Sequence, residues 1–237
     1  CLKQMATAGL LNIAGGCCGT TPEHIRAIRE ALQAISPRQI PVIPAQLVVS
    51  GLDKVVVDKA QNNFINVGER TNVAGSAKFA KLIHAKAYEE AARIARKQIE
   101  DGASVIDINM DDAMLDSALE MSTFVRYISN DPDIARAALM IDSSDWNTIL
   151  AGLKNAQGKC IVNSISLKEG EDLFLAKARE IHHLGAAVVV MAFDEQGQAV
   201  TYERKIEICE RAYRLLTRQA GFRAEDIIFD VNILAIG

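Results

Sequence analysis

The sequence of 237 residues predicts an α/β protein of the (β/α)8 barrel type, truncated after about six strands. Apolar runs that end in Asp or Asn recur along the chain, and helical patterns separate them. Buried parallel strands are near-continuous apolar runs, and strands that alternate with helices are typical of βαβ units. A closed barrel needs eight strands. The runs are Phe64–Glu69, Val105–Asn109, Leu139–Asp142, Cys160–Asn163, Ala187–Asp194 and Ile227–Asn232.

Before these runs, residues 1–36 predict one strand and one helix. Leu10–Ala14 has the pattern of a strand. A helix should then begin after Thr20 or Thr21, with Pro22 in its first turn. We expect Glu23 to complete a capping box at this helix start.

Residues 37–62 predict a stiff linker followed by a hairpin. Three of the five prolines are Pro37, Pro41 and Pro44, and clustered prolines favour an extended chain. The turn Gly51–Asp53 lies between two short strand patterns, Gln46–Ser50 and Lys54–Asp58, which is typical of a hairpin.

The barrel domain is predicted over residues 63–237. Its first helix is indicated by apolar spacing from Tyr88 to Ile99, with Gly102 as the stop signal. Because six strands leave a parallel sheet open, strands near Ile65 and Ile228 should present unpaired backbone groups, which predicts low solubility or oligomers. Later helices are expected over Asp112–Ser129, Asp145–Ala156, Glu171–Leu184 and Tyr202–Arg218.

Composition narrows the classes of function. A net charge of −4 without a basic block argues against a nucleic-acid partner, and no apolar run approaches membrane-spanning length. No secretory signal is evident, and an odd number of cysteines, five, favours free thiols or a metal in a reducing cytoplasm. The start at Cys1 predicts that the chain begins inside a longer protein.

Polar side chains at the predicted strand ends form the candidate site. Side chains at the carboxyl ends of barrel strands face the active site, so these residues should surround one pocket. Capping of the following helix explains any single one of them equally well. It does not explain why the residue is a carboxylate or an amide nearly every time. The set comprises Asp107, Asn109, Asp142, Asn163, Asp194, Asp230 and Asn232.

Two of these strand ends have the pattern Asp-x-Asn. Strand periodicity places Asp107 and Asn109 on one face, and likewise Asp230 and Asn232. A carboxylate beside amides suits a planar heterocycle with adjacent N–H donors. The same carboxylates could hold Mg²⁺, and this alternative remains open from the residues alone.

Cys17 and Cys18 lie together between glycines at a predicted strand-to-helix turn. Two thiolates on one turn can share a metal, but zinc needs three protein ligands even in a catalytic site. By spacing alone, two buried structural cysteines are the better interpretation.

Several segments closely resemble the cobalamin-dependent methionine synthase family. Five match its pterin-binding domain, and one matches the end of the homocysteine-binding domain that precedes it. Their order and spacing agree over essentially the whole chain. The five segments are Phe64–Ser76, Ile106–Asp111, Met140–Ser144, Lys159–Gly170 and Val190–Gly197, and the sixth is Gly15–Pro22.

The resemblance implies methyl transfer from 5-methyltetrahydrofolate to cob(I)alamin and on to homocysteine, as in methionine biosynthesis. Residues 1–36 would be the end of a zinc-binding homocysteine barrel, and residues 63–237 would be an incomplete folate barrel. Zinc would be held by Cys17 and Cys18 with a third ligand outside this chain. Cobalamin would be bound by a module that is absent here. The isolated chain would then not be competent for the full reaction.

The resemblance also implies roles for the strand-end residues. Asn109 and Asn232 would lie near N5 of the folate, and Asp107 would orient a neighbour. Two departures from the family pattern, Ala113 for a glycine and Val231 for a proline, put the local loop geometry in doubt. The pterin-binding residues would be Asp142, Asn163, Asp230, Glu69 and Asn72.

Two other functions remain open. One is a pterin enzyme similar to dihydropteroate synthase, although the Gly15–Pro22 segment and the proline linker argue against it. The other is a non-catalytic folate-binding fragment.

Overall fold

The computed structural model describes residues 1–58, 60 and 64–233. The chain divides into two compact units, Cys1–Pro44 and Ala45–Gly237. Parts of the predicted linker (59, 61 and 62) and of the predicted barrel (63 and 234–237) lie outside the described residues.

The first unit contains two helices, α1 (Leu2–Thr7) and α2 (Pro22–Leu32). Helix α1 was not predicted. The predicted strand Leu10–Ala14 is wrong, because this segment has no partner strand in the unit, and Ile13 is 91% exposed. A strand needs a neighbour for its backbone N–H and C=O groups, whatever its apolar content.

Helix α2 begins after Thr21, as predicted, with Pro22 in its first turn. The predicted capping partner, Glu23, is wrong. The backbone N–H of Thr21 donates to Nδ1 of His24 at 3.1 Å. A capping box uses the third helical residue, and a helix that starts at Pro22 places His24 there.

The second unit opens with the predicted hairpin, formed by antiparallel strands β1 (Leu47–Ser50) and β2 (Lys54–Val57). Its turn packs tightly on the rest of the unit. A Cβ on Gly51 would lie 2.2 Å from the carbonyl oxygen of Ala137, so only glycine allows this approach.

Six parallel strands form the main sheet. This confirms the predicted α/β class, and among the described residues the sheet does not close into a barrel. A small hairpin of strands β8 (Phe193–Asp194) and β9 (Gly197–Gln198) stands apart from it. The six strands are β3 (Val67–Asn72), β4 (Val105–Asn109), β5 (Ala138–Asp142), β6 (Ile161–Ile165), β7 (Ala187–Met191) and β10 (Ile227–Asp230). Their spatial order is β10-β7-β6-β5-β4-β3.

Several predicted strand limits are wrong. Strand β7 ends at Met191, not at Asp194, and β6 ends at Ile165, not at Asn163. Strand β3 begins at Val67, not at Phe64, because Val67 is the first residue paired with β4, opposite Val105. Phe64 is 82% exposed. Strand β10 ends at Asp230, and Asn232 has a positive φ of 51°, which no strand residue adopts.

Helices lie between the strands at nearly the predicted places. The short helices α3 and α6 were not predicted. Helix α5 starts later than predicted because the side chain of Asp116 accepts from the backbone N–H of Leu119 at 3.1 Å and caps it there. The helices are α3 (Ala77–His84), α4 (Tyr88–Glu100), α5 (Ser117–Ile128), α6 (Pro132–Ala135), α7 (Trp146–Asn155), α8 (Glu171–His183) and α9 (Tyr202–Leu215).

Three shorter helical segments complete the unit: 3-10 turns at Leu167–Glu169 and Ala224–Asp226, and a π-helical turn at Leu216–Ala220 that extends α9. Within the described part of the chain, no helix combines the length and the apolar character needed to cross a bilayer.

The two faces of the sheet are buried differently. One face packs against the helices through side chains such as Ile106, Ile108 and Ile141. On the other face, Val105 and Ala138 pack with Val49 of the hairpin. The hairpin therefore covers the amino-terminal end of this inner face, and the polar carboxyl end is left open.

We expect Phe124→Ala to lower the free energy of unfolding by about 3–5 kcal/mol. Phe124 is fully buried on α5 and meets Phe79 edge to face, with ring centroids 5.3 Å apart. Urea denaturation measures the change. Leu119→Ala, on the same helix at 54% exposure, is the control and should stay within about 0.5 kcal/mol. Equal losses in both variants would contradict this packing.

Candidate functional site

Four polar residues form one row across four adjacent strands. In the parallel register Asn72 lies opposite Asn109, Asn109 opposite Asp142, and Asp142 opposite Asn163. Each residue ends or nearly ends its strand. The row therefore lies at the carboxyl end of the sheet, where barrel enzymes have their active sites.

The side chain of Asn109 is held on both sides. Its Nδ2 donates to Oδ2 of Asp142 at 3.0 Å, and its Oδ1 accepts from the backbone N–H of Asp111 at 2.8 Å. The second contact decides which way the amide faces, because a backbone N–H can only donate. Asn109 consequently presents its N–H group to the Asp142 carboxylate.

Asp107 lies one layer beneath this row, on the same strand face as Asn109. It is only 2% exposed, and its Oδ1 is buried without a hydrogen-bond partner in the described structure. Burial raises the pKa of Asp107 to about 7, helped by the charges of Asp142 and Glu69. The side-chain amides of Asn163 and Asn72 oppose this rise, because hydrogen bonds to the carboxylate lower the pKa of Asp107. The neutral form of this carboxyl is therefore favoured relative to an exposed aspartate.

Burial also raises the pKa of Asp142. Its hydrogen bond from Asn109 opposes this rise, whereas the charges of Asp111 and Glu69 add to it. The site thus gathers several carboxylates in a partly dry environment, and a donor group of a ligand would relieve their mutual repulsion.

Three members of the row, Asn109, Asp142 and Asn163, line an open cleft of about 570 Å³, which is bordered by the loops that follow β4, β5 and β6. Hydroxyl, amide and carboxylate groups line most of it, with Lys168 and Lys177 at one side. The peptide bond between Asn163 and Ser164 is cis. The lining residues are Asn109, Asp111, Asp142, Ser143, Ser144, Asn163, Ser164, Ile165, Ser166, Lys168, Glu169, Lys177 and Met191.

Glu69 and Asn72 come from β3 at one side of the row. Strand β3 contains both residues, so it extends three residues beyond the predicted run Phe64–Glu69. Asn72 accepts from the backbone N–H of Gly75 through Oδ1 at 2.8 Å, so part of its role is to hold the following turn. Glu69 is exposed, and its charge adds to the rise in the pKa of Asp107 and of Asp142 that burial mainly causes.

The second Asp-x-Asn pattern does not repeat the geometry of the first. Asn232 lies beyond β10, so the predicted shared strand face of Asp230 and Asn232 is wrong. Instead Asp230, which is exposed, accepts from the backbone N–H of Asn232 at 2.8 Å in a tight turn. Nδ2 of Asn232 is buried without a hydrogen-bond partner among the described residues.

Asp194, also predicted in the ring of polar residues, lies in the β8–β9 hairpin and pairs with Arg204. Asp111, Ser143 and Ser144 were given no role in the site from the sequence. They are loop residues, and their mutual contacts join positions 32 and 33 residues apart. Their sequence signals are that they lie within two residues of the ends of β4 and β5 and that they belong to the segments Ile106–Asp111 and Met140–Ser144.

Cys17 and Cys18 are exposed free thiols, so the interpretation as buried structural cysteines is wrong. No group of three or more Cys, His, Asp or Glu side chains suited to a metal ion exists among residues 1–58, 60 and 64–233. Zinc needs at least three protein ligands. The residues described here therefore do not make a complete zinc site.

Comparisons with known proteins find two families along this chain. The family described as "Pterin binding enzyme" matches residues 68–237, and the family described as "Homocysteine S-methyltransferase" matches residues 1–32. This pair, in this order, fits the resemblance to the cobalamin-dependent methionine synthase family.

A solved structure of Yersinia pestis DHPS (dihydropteroate synthase) with a pterine-sulfa conjugate is similar in fold. The TM-score is 0.53 at 14% identity, over 78% of this chain. The match spans 63% of the length of that protein. At this identity the likeness shows the fold alone, and the fold is of the barrel type.

The raised pKa of Asp107 predicts a pH-dependent stability. Its pKa rises from 3.8 in the unfolded chain to about 7, so between these values the folded protein holds more protons. The free energy of unfolding should therefore fall as pH rises from about 4 to about 7, by up to about 4 kcal/mol. The Asp107→Asn variant should lack this fall in the free energy of unfolding, which urea denaturation at several pH values measures. Parallel curves for both proteins would contradict the assignment.

We expect the chain to retain less than one zinc ion per molecule after dialysis against a mild chelator. Cys17 and Cys18 alone leave the metal without a third protein ligand. Metal analysis measures the content, with the double variant Cys17→Ser, Cys18→Ser as the control for non-specific zinc. Stoichiometric zinc in the original chain alone would contradict this and would indicate a third ligand.

Proposed function

The chain belongs to the pterin binding enzyme family, and on this basis we propose that its cleft binds the pterin ring of 5-methyltetrahydrofolate for methyl transfer to cob(I)alamin. The observation that carries the proposal is the row Asn72, Asn109, Asp142 and Asn163 above the buried Asp107. The match to homocysteine S-methyltransferase at residues 1–32 supports homocysteine as the final acceptor.

The row suits the edge of a pterin ring. A carboxylate accepts two parallel hydrogen bonds from adjacent N–H donors, and Asp142 faces the cleft for this purpose. Asn163, next to it in register, offers both an N–H donor and a carbonyl acceptor. Asp230 is proposed to complete the set from β10, with Glu69 and Asn72 at the opposite side.

Proton supply is the second task of the site. The methyl group leaves N5, a tertiary amine nitrogen that departs poorly unless it is protonated or strongly hydrogen-bonded. Asp107, with a pKa of about 7, holds a proton for part of the time at neutral pH, and Asn109 lies above it as a hydrogen-bond donor. We assign this task to Asp107 and Asn109 acting with water, and Asn232 is proposed near N5.

Cob(I)alamin, when bound, supplies the nucleophile that accepts the methyl group. In this proposal it is held by another module. The described residues of this chain therefore orient the folate and supply a proton or a hydrogen bond to its N5 atom. Because Cys17 and Cys18 do not complete a zinc site, no step on homocysteine is derived for this chain.

A dihydropteroate-synthase-like reaction is the second candidate, because the similar solved structure belongs to that enzyme class. Both candidates begin with pterin binding. Incubation with methyltetrahydrofolate and free cob(I)alamin, followed by detection of methylcobalamin, tests the first. Incubation with a dihydropterin pyrophosphate and p-aminobenzoate tests the second. Binding without either product would indicate a non-catalytic folate-binding module.

Asp142→Ala should weaken methyltetrahydrofolate binding by about tenfold or more. A hydrogen bond to a charged group contributes roughly 1.5–3 kcal/mol, and 1.4 kcal/mol is a factor of ten in affinity. Isothermal titration calorimetry of the purified chain measures the dissociation constant.

Asp172→Ala is the matched control, since Asp172 is an exposed carboxylate on α8 that does not line the cleft. Its affinity should stay within twofold of the original. If Asp142→Ala binds as tightly as the control, the pterin does not use this row.

A further inference from the structure

We infer that Asp111 is a positioning residue of the cleft, which ties together the loops after β4 and β5 and thereby orients Asn109 and Asp142 toward the ligand. The inference rests on the proposed function in naming a pterin as that ligand. It assigns a role to a side chain that the sequence did not single out.

The carboxylate of Asp111 is fully engaged by the next loop. Its Oδ2 accepts from the backbone N–H of Ser144 at 2.7 Å and from Ser144 Oγ at 2.8 Å. Its Oδ1 accepts from Ser143 Oγ. Ser143 and Ser144 directly follow Asp142, so these three contacts hold the chain at the end of β5.

The backbone of Asp111 acts on the other side of the same pair. Its N–H donates to Oδ1 of Asn109 at 2.8 Å, which turns Nδ2 of Asn109 toward Asp142, 3.0 Å away. One residue therefore fixes the amide that donates to Asp142 and the loop that follows Asp142. Ser143 also connects this loop to the start of α7, because its Oγ accepts from the backbone N–H of Asp145, the N-cap of that helix, at 3.0 Å.

Asp111 also acts on Asp142 through its charge. Asp142 is faced by Asn109, Glu69 and Asp111, with Asp107 one layer below, and Lys168, Glu169 and Lys177 border the same cleft. The negative charge of Asp111 adds to the rise in the pKa of Asp142. Neutralising Asp111 should therefore lower that pKa, an effect that a purely structural side chain would not produce.

The neighbouring Asp112 provides a matched control. It has the same charge one position along the chain, but its carboxylate faces away from the row. It contacts Nε2 of His84 at 3.1 Å and accepts from the backbone N–H of Met114 at 2.8 Å. Asp112→Asn removes one negative charge near the cleft without touching Asn109, Ser143 or Ser144.

The experiment compares Asp111→Ala, Asp111→Asn and Asp112→Asn by two readouts. Calorimetry gives the affinity for methyltetrahydrofolate between about pH 5 and pH 8. NMR of the ligand-free protein gives the Asn109 side-chain amide signals and the titration of the Asp142 carboxyl carbon. We expect Asp111→Ala to lose about tenfold in affinity and to move the Asn109 amide signals.

Asp111→Asn, which retains one acceptor oxygen, should recover part of that affinity and titrate Asp142 at a lower pH than the original chain. Asp112→Asn should match the original chain in both readouts. If the Asp111→Ala variant does not fold, the same two readouts for Asp111→Asn test the inference. An unchanged Asn109 signal together with an unchanged Asp142 titration in Asp111→Asn overturns the inference.

The ligand-free signals separate this inference from the proposed function. If the original chain does not bind methyltetrahydrofolate but the Asn109 and Asp142 signals respond as expected, Asp111 is the positioning residue and the proposed substrate is wrong. If the original chain binds methyltetrahydrofolate, and neither the two signals nor the affinity responds to substitution of Asp111, the proposed substrate is supported and the inference about Asp111 is overturned.

Discussion

Strand β4 is paired in parallel register on both sides, and its side chains alternate between two buried faces. Ile106 and Ile108 pack among the helices, while Asp107 and Asn109 face the interior side of the sheet. The pairing with β3 and β5 brings Asn72 and Asp142 level with Asn109. A one-residue slip of this strand would place both polar side chains in the helix-covered core, so the apolar face enforces the geometry of the polar one.

Burial of the polar face has an electrostatic consequence. A carboxyl taken out of water favours its neutral form, and nearby carboxylates increase the effect. Asp107 shows this most clearly, with an orphaned buried oxygen and a pKa near neutrality. Such a group is costly for an unliganded protein. Its cost is understandable where a ligand supplies hydrogen-bond donors, which is the situation proposed for the pterin.

Different parts of the chain keep the two ends of the sheet distinct. The hairpin β1–β2 closes the amino-terminal end of the inner face with apolar side chains, among them Val49. The carboxyl end opens into the cleft, and the loops that border it are joined to each other by polar contacts such as those of Asp111 with Ser143 and Ser144. The stability of the core and the shape of the cleft therefore depend on different residues.

Local patterns in the sequence predicted the βα alternation, the four central strands, the hairpin and the positions of Asp107, Asn109, Asp142 and Asn163 at or near strand ends. These features follow from local periodicity, which is visible within ten residues. Tertiary structure alone decided that Leu10–Ala14 is not a strand, that β3 begins at Val67, and that Asn232 leaves the strand direction. It also decided the contacts of Asp111. The physical reason is the same in each case: strand pairing and loop-to-loop hydrogen bonds join residues that are remote in sequence, and no local pattern specifies the partner.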